Sequence, residues 1–273
     1  MPIFAILSDI HANYDALEVV LEKCRELGIE KYISLGDVVG YNAEPTRCLK
    51  TVMGLDCIKR VVGNHDYYAV HGSLETSGFN VNARAAIEWT KGQLDEEDRQ
   101  FLLSSEEESR IPVPGITLVH ATLDSPLNWG YVMDCHHARA SFEYQRTVIC
   151  FCGHSHVPIA FCRKPMALAH ERVVDTIPEW NYSTVDREFD EDFTKADELT
   201  VTYKSGGAYK YLFNVGSIGQ PRNGDPRASF AVLNTDKHTV TRFRLPYDIP
   251  AAQAKIRAAG LPDRLAVRLE LGT

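Results

Sequence analysis

The sequence contains no apolar run approaching the roughly 20 residues that span a bilayer, so no transmembrane helix and no membrane partner are expected. Its opening stretch, MPIFAILSDIHANYD, has no basic residues ahead of the apolar run, and Asp9 interrupts that run early. A secretory signal peptide is therefore not expected. The seven cysteines (24, 48, 57, 135, 150, 152 and 162) are odd in number and contain no CxxC pair. This reads as reduced, mostly buried thiols in a cytoplasm. Excess positive charge is also missing. There are 29 Lys and Arg against 37 Asp and Glu, a net charge of −8. Long nucleic acid and anionic membranes are poor partners for such a chain. A small anionic substrate is not excluded, because a bound metal inverts the sign locally. No repeat, low-complexity segment or linker divides the 273 residues, and a single domain over 1–273 is expected.

What is present is a series of short apolar runs, each ending in polar residues. IFAILSD reads as a buried strand delivering Asp9 and His11. A helical face of Leu17, Val20, Leu21, Cys24 and Leu27 follows, with Asn13 as its cap and Gly28 as its stop. KYISLGD is a second strand, ending at Asp37. CIKRVVGNHD is a third, ending at Asn64 and His65. Strand, helix, strand within about 35 residues is a βαβ unit, which makes these strands parallel. Residues 80–103 read as two helices, the second capped by Asp95, and SSEEES (104–109) as a solvated turn. GITLVHA delivers His120, and TVICFCGHSH delivers His154 and His156. Further on, YKYLFNVGS reads as a strand and ASFAVLNTDKHTVTRFRL as a hairpin. Residues 163–208, with the acidic run DREFDEDFTKADE, read as an exposed excursion, and 249–273 as two short outer helices.

CFCGHSH (150–156) by itself allows three readings: a four-ligand zinc clip, a redox pair, or histidines with separate tasks beside cysteines that only pack. The other strand ends bear on the choice. Asp9, His11, Asp37, Asn64, His65, Asp66, His120, His154 and His156 form an oxygen- and imidazole-rich set that suits divalent Mn, Fe, Zn or Ni. They are too many for one ion. Two ions roughly 3.5–4 Å apart, sharing a bridging carboxylate, would use seven of them.

Five ordered blocks, DIH (9–11), GDVVGY (36–41), GNHD (63–66), VHA (119–121) and GHSH (153–156), resemble the calcineurin-like metallophosphoesterase superfamily. The run NVGSIGQPRNGDPRASFAVL (214–233) is similar to its small bacterial and archaeal branch, some members of which hydrolyse dinucleoside polyphosphates. The resemblance implies an α/β fold, a four-layer αββα sandwich of two mixed β-sheets flanked by helices. It implies that Asp9, His11 and His156 hold one metal, that Asn64, His120 and His154 hold a second, and that Asp37 bridges them. The implied activity is hydrolysis of a small phosphorylated substrate by in-line attack of a metal-bridging hydroxide, with a dinucleoside polyphosphate preferred. His65 would stabilise charge or protonate the leaving group, and Asp66 would orient its ring. Asn13, Tyr41 and Arg222 are candidate substrate contacts. The competing readings are a metal-stabilised binding or scaffold protein, a protein phosphatase and a nuclease; the missing basic stripe weighs against the last.

Overall fold

A computed structural model describes residues 3–71, 78–105, 108–111, 115–165, 174–177, 197–206 and 208–273. Among them, β1 (Ile3–Leu7), β2 (Lys31–Ser34) and β3 (Cys57–Arg60) run parallel at one side of the first sheet. That sheet has the order β3-β2-β1-β11-β12-β9, completed by the antiparallel β11 (Ala228–Asn234), β12 (Thr239–Leu245) and β9 (Glu198–Thr202). The second sheet has the order β4-β5-β6-β10-β7-β8. Its strands are β4 (Glu108–Ile111), β5 (Ile116–Val119), β6 (Ile149–Cys152), β7 (Ile159–Arg163), β8 (Val174–Thr176) and β10 (Lys210–Asn214), of which β5, β6 and β10 are mutually parallel.

Strand β1 shows why the sheets stack. Its period of two sends Phe4 and Ile6 to one face and Ala5 and Leu7 to the other, and both faces are buried. Phe4 and Ile6 meet Phe151 and Phe213 of the second sheet, so this face forms the core between the sheets. Ala5 and Leu7 meet Leu17, Val20 and Cys24 of α1 (Tyr14–Glu26), beside α2 (Pro45–Met53). On the far side, Phe142 of α6 (Cys135–Tyr144) packs on Cys150, Cys152 and Phe161. The result is the expected four-layer αββα sandwich, with Cys150 and Cys152 as packing residues.

The remaining α-helices among the described residues are α3 (Asn64–Val70), α4 (Val81–Lys91), α5 (Glu96–Leu103), α7 (Ile249–Ala258) and α8 (Asp263–Leu271). Helices α4, α7 and α8 bury a separate apolar cluster that includes Tyr41. None of the helices among the described residues is long and apolar enough to cross a membrane.

Three local expectations change. The third strand stops at Arg60, and Asn64 and His65 open helix α3, because Gly63 is its N-cap and Asp66 turns back to cap it. Glu108 and Ser109 belong to β4 rather than to a turn. The stretch 163–208 supplies an edge strand to each sheet, β8 and β9. The acidic run lies outside the described residues up to 196; beyond it, Asp197 pairs with Arg227.

Candidate metal centre

The parallel strands β1, β2, β3, β5 and β6 all point their C-terminal ends at one region, where ligands gather in open α/β sheets. The chain must turn sharply there for the next side chains to face inward. Asp9, His11, Asp37, His154 and His156 all adopt left-handed backbone, with φ between 49° and 65°. Such conformations cost of order 1–3 kcal/mol each for non-glycine residues. Cross-loop hydrogen bonds hold them: the Asp9 N–H donates to the Gly36 carbonyl, His11 N–H to Asp37, and Ala12 N–H to Val38. Gly153 is required for close approach, since a Cβ there would lie 2.0 Å from Ser8 Oγ and 2.4 Å from Asp9 Oδ2.

Each carboxylate is divided in function. Asp9 Oδ2 accepts from Ser8 Oγ (2.6 Å) and the His154 N–H (3.1 Å), while Oδ1 is buried with no hydrogen-bond partner. Asp37 Oδ1 accepts from the His65 N–H (2.8 Å), while Oδ2 is likewise unpartnered. That free Oδ2 lies 3.5 Å from His11 Nε2 and 3.4 Å from His120 Nε2, between the two sets of donors.

Main-chain carbonyls fix the rings. His11 Nδ1 donates to Val39 (3.0 Å), His120 Nδ1 to Leu35 (2.7 Å) and His156 Nδ1 to Gln220 (2.6 Å), which leaves the Nε2 atoms of His11 and His156 as lone pairs and turns His120 Nε2 toward the Asp37 carboxylate. His154 is reversed: its Nε2 donates to the Trp129 carbonyl (2.8 Å), which leaves Nδ1 free. Asn64 Oδ1 is a further buried acceptor without a partner. Asp9, His11, Asp37 and His156 form one group able to hold a metal ion, and Asp37, His120 and His154 form another. Acceptors converging without donors are expensive to bury, and cations would satisfy them.

The electrostatics agree with metal ligation. Burial pushes the His11 pKa well below the usual value, and it lowers His156 with help from Arg222. Burial and the neighbouring His120 hold His154 at about 3. Burial opposes charge on the two aspartates, but His156 beside Asp9 and His120 beside Asp37 outweigh it and keep both ionised. Burial also opposes charge on His120, yet Asp37 raises it to about 9.

Comparison with known proteins matches residues 2–175 to the calcineurin-like phosphoesterase superfamily domain. The chain belongs to the calcineurin-like phosphoesterase superfamily. It is a metal-dependent phosphoric ester hydrolase. It is 34% identical over 270 residues to an uncharacterised protein of Methanocaldococcus jannaschii, covering 98% of this chain and 97% of that one. A metallophosphoesterase from Sphaerobacter thermophilus is 35% identical, with a TM-score of 0.79 over 100% of this chain and 99% of its own. A hypothetical protein from Pyrococcus horikoshii OT3 shares the fold at 19% identity and a TM-score of 0.72, covering 100% and 99% of the two chains.

Above this phosphoesterase centre lies a cavity of about 390 Å³. His65, Tyr41 and Arg222 line it. His65 Nδ1 is buried without a partner. Burial pulls its pKa down to about 4 against Asp37, with Arg222 adding to the depression. Asp66 and Asn13 are used elsewhere. Asp66 does not orient His65: its carboxylate accepts from the N–H groups of Val38 (2.9 Å), Val39 (3.2 Å) and Gly63 (3.4 Å). Burial and the charge of Asp37 raise its pKa to about 7. Asn13 does not line the cavity. Its Oδ1 caps α1 through the Ala16 N–H, and its Nδ2 donates to the Gly219 carbonyl.

The structure also adds residues that the sequence did not single out. Trp129 and Tyr131 line the cavity, and Tyr131 stacks on His154 with ring centroids 4.4 Å apart. Arg268 reaches the cavity from α8. The 214–233 run proves to be scaffolding for the first donor group. Ser217 Oγ and the Gly219 N–H both donate to the Asp9 carbonyl, and Gln220 holds His156.

Proposed function

We propose that the protein hydrolyses a phosphoester or phosphoanhydride bond of a small phosphorylated molecule at a pair of divalent cations. The observation that carries this reading is the convergence of unpartnered buried acceptors, Asp9 Oδ1, Asp37 Oδ2 and Asn64 Oδ1, with His120 Nε2 turned to the same point. In it, Asp9, His11 and His156 hold one ion, Asn64, His120 and His154 hold the other, and Asp37 serves both. The mixed oxygen and imidazole donors suit Mn, Fe, Zn or Ni. When bound, such ions generate a nucleophile from water near neutral pH and neutralise phosphate oxygens.

The protein's own residues supply orientation. His65 is neutral at pH 7, so it donates a hydrogen bond to a phosphate or leaving-group oxygen. Asp66 acts as a positioning residue, fixing the Val38–Val39 turn behind Asp37. The preferred substrate is a dinucleoside polyphosphate; a cavity with both aromatic and cationic walls supports a nucleotide. One domain over 1–273 is supported by the strands beyond 175, which complete both sheets. A cytoplasmic setting is compatible with seven unbridged cysteines.

The test is a panel of phosphate monoesters, phosphodiesters and dinucleoside polyphosphates, assayed with Mn. Turnover fastest on the polyphosphates is expected. No turnover of any member, with two ions bound per chain, would overturn the catalytic reading.

A further inference from the structure

Two arginines from distant parts of the chain share one wall of the cavity. Arg222 follows the Gln220 turn, and its N–H donates to the His156 carbonyl (3.3 Å), which sets it beside the first donor group. Arg268 comes from the last turn of α8. That helix end is fixed to the same loop: the Gly224 N–H donates to the Gly272 carbonyl (2.9 Å). A Cβ on Gly272 would come within 2.7 Å of the Asp225 main chain. Both guanidinium groups lie over the Tyr41 ring, 5.4 and 5.9 Å from its centroid.

Their partners are incomplete. Arg222 Nη2 donates to Tyr41 Oη and Gln220 Oε1 (both 3.0 Å), while its Nε is buried with no partner. Arg268 Nε donates to the Thr273 carbonyl. Among the described residues, neither is paired with an Asp or Glu side chain. The contrast lies nearby: Arg227 and Arg244, on the same side of the molecule, both pair with Asp225. In a chain with 37 acidic residues, two adjacent cations left unpaired in a cavity are a costly arrangement unless an anion joins them.

We propose that Arg222 and Arg268 clamp a second anionic group of the substrate, next to the phosphorus held at the metal centre, and that Arg268 sets the preference for such substrates. The inference rests on the phosphoesterase reading above. It narrows the substrate class to molecules carrying two neighbouring phosphates or an equivalent pair of anions. Planar forks suit phosphate because they donate two parallel hydrogen bonds. Trp129 and Tyr131, beside His154, also line the cavity and offer aromatic surface to an uncharged, planar part of the same molecule.

The test is calorimetric binding of α,β-methylene-ADP and of adenosine 5′-monothiophosphate to the Mn-loaded protein at constant excess Mn. Wild type is expected to bind the first at least about 10-fold more tightly. Arg268→Gln should remove most of that gap by weakening α,β-methylene-ADP while leaving the monothiophosphate within about 2-fold. Arg268→Lys should restore part of it. The proposal is overturned if wild type shows no gap, or if Arg268→Gln weakens both ligands equally or neither. A preserved gap with no turnover on the substrate panel would overturn the catalytic reading and leave the clamp standing.

Discussion

His11 and His156 face one another with their Nε2 atoms 3.0 Å apart. Each has spent its Nδ1 proton on a main-chain carbonyl, Val39 for His11 and Gln220 for His156. Burial holds both pKa values down, so both rings are neutral and two lone pairs oppose each other. Asp9 Oδ1 adds a third acceptor 3.2 Å from His156 Nε2. Three acceptors with no donor between them repel, and a cation among them turns the repulsion into chelation.

The GHSH pair should divide between two ions. His156→Ala removes a donor from the group containing Asp9 and His11, and His154→Ala one from the group containing Asp37 and His120. Metal analysis after dialysis is expected to give about two ions per chain for wild type and about one for each variant. Loss of both ions in either variant would mean a single, shared site.

Asp66 separates two roles by kinetics. Because its carboxylate holds the Val38 and Val39 N–H groups, Asp66→Asn should weaken metal binding about 10–100-fold, as loss of an outer hydrogen bond does. Activity should return at saturating Mn. A kcat that stays low at saturating Mn would restore Asp66 to a role through His65. His65→Ala, by contrast, should cost about 10²–10⁴ in kcat with metal content unchanged.

Metal binding should release a proton. Asp37, against the effect of burial, raises the His120 pKa to about 9, so at pH 7.5 the metal-free protein carries His120 protonated. A metal needs the Nε2 lone pair, so binding expels that proton. Affinity should therefore rise with pH up to about 9 and level off above it. Calorimetry of Mn binding at pH 7.5 in buffers of different ionisation enthalpy is expected to report about one proton released per chain from His120. An enthalpy independent of buffer would contradict this.

Gly153→Ala tests the packing behind the ligands. The new Cβ would meet Ser8 Oγ at 2.0 Å and Asp9 Oδ2 at 2.4 Å. Overpacking of this kind costs about 1–3 kcal/mol, and it displaces the carboxylate that faces His156. A lower melting temperature with weaker metal binding is expected. An unchanged protein would show that the β1 and β6 loops separate easily.

Six of the seven donors were legible because each is a polar side chain following an apolar strand; Asn64, which opens α3, was legible through the GNHD block and its spacing from the others. What holds them was not. Val39, Leu35, Trp129 and Gln220 act through carbonyls, which every residue possesses, so only the folded path shows which ones matter. Asp66 misled because adjacency to His65 suggested a pair, whereas the first turn of α3 sends its carboxylate back to Gly63 and the Asp37 loop. Asn13 had its ordinary use as a helix cap. Arg268 carried no signal, being one basic residue on an amphipathic helix more than 100 residues beyond GHSH; the packing of α8 in the cluster that includes Tyr41, and of Gly272 on Asp225, brings it to the cavity.

The shared Asp37 carboxylate is the centre of the account, and electron paramagnetic resonance of the Mn-loaded protein tests it most directly. Two Mn ions roughly 3.5–4 Å apart couple magnetically. The wild-type spectrum at full loading is expected to be that of an exchange-coupled pair, and Asp37→Asn should convert it to the signal of isolated ions or empty one site. A fully loaded wild-type protein showing only isolated Mn would contradict the account.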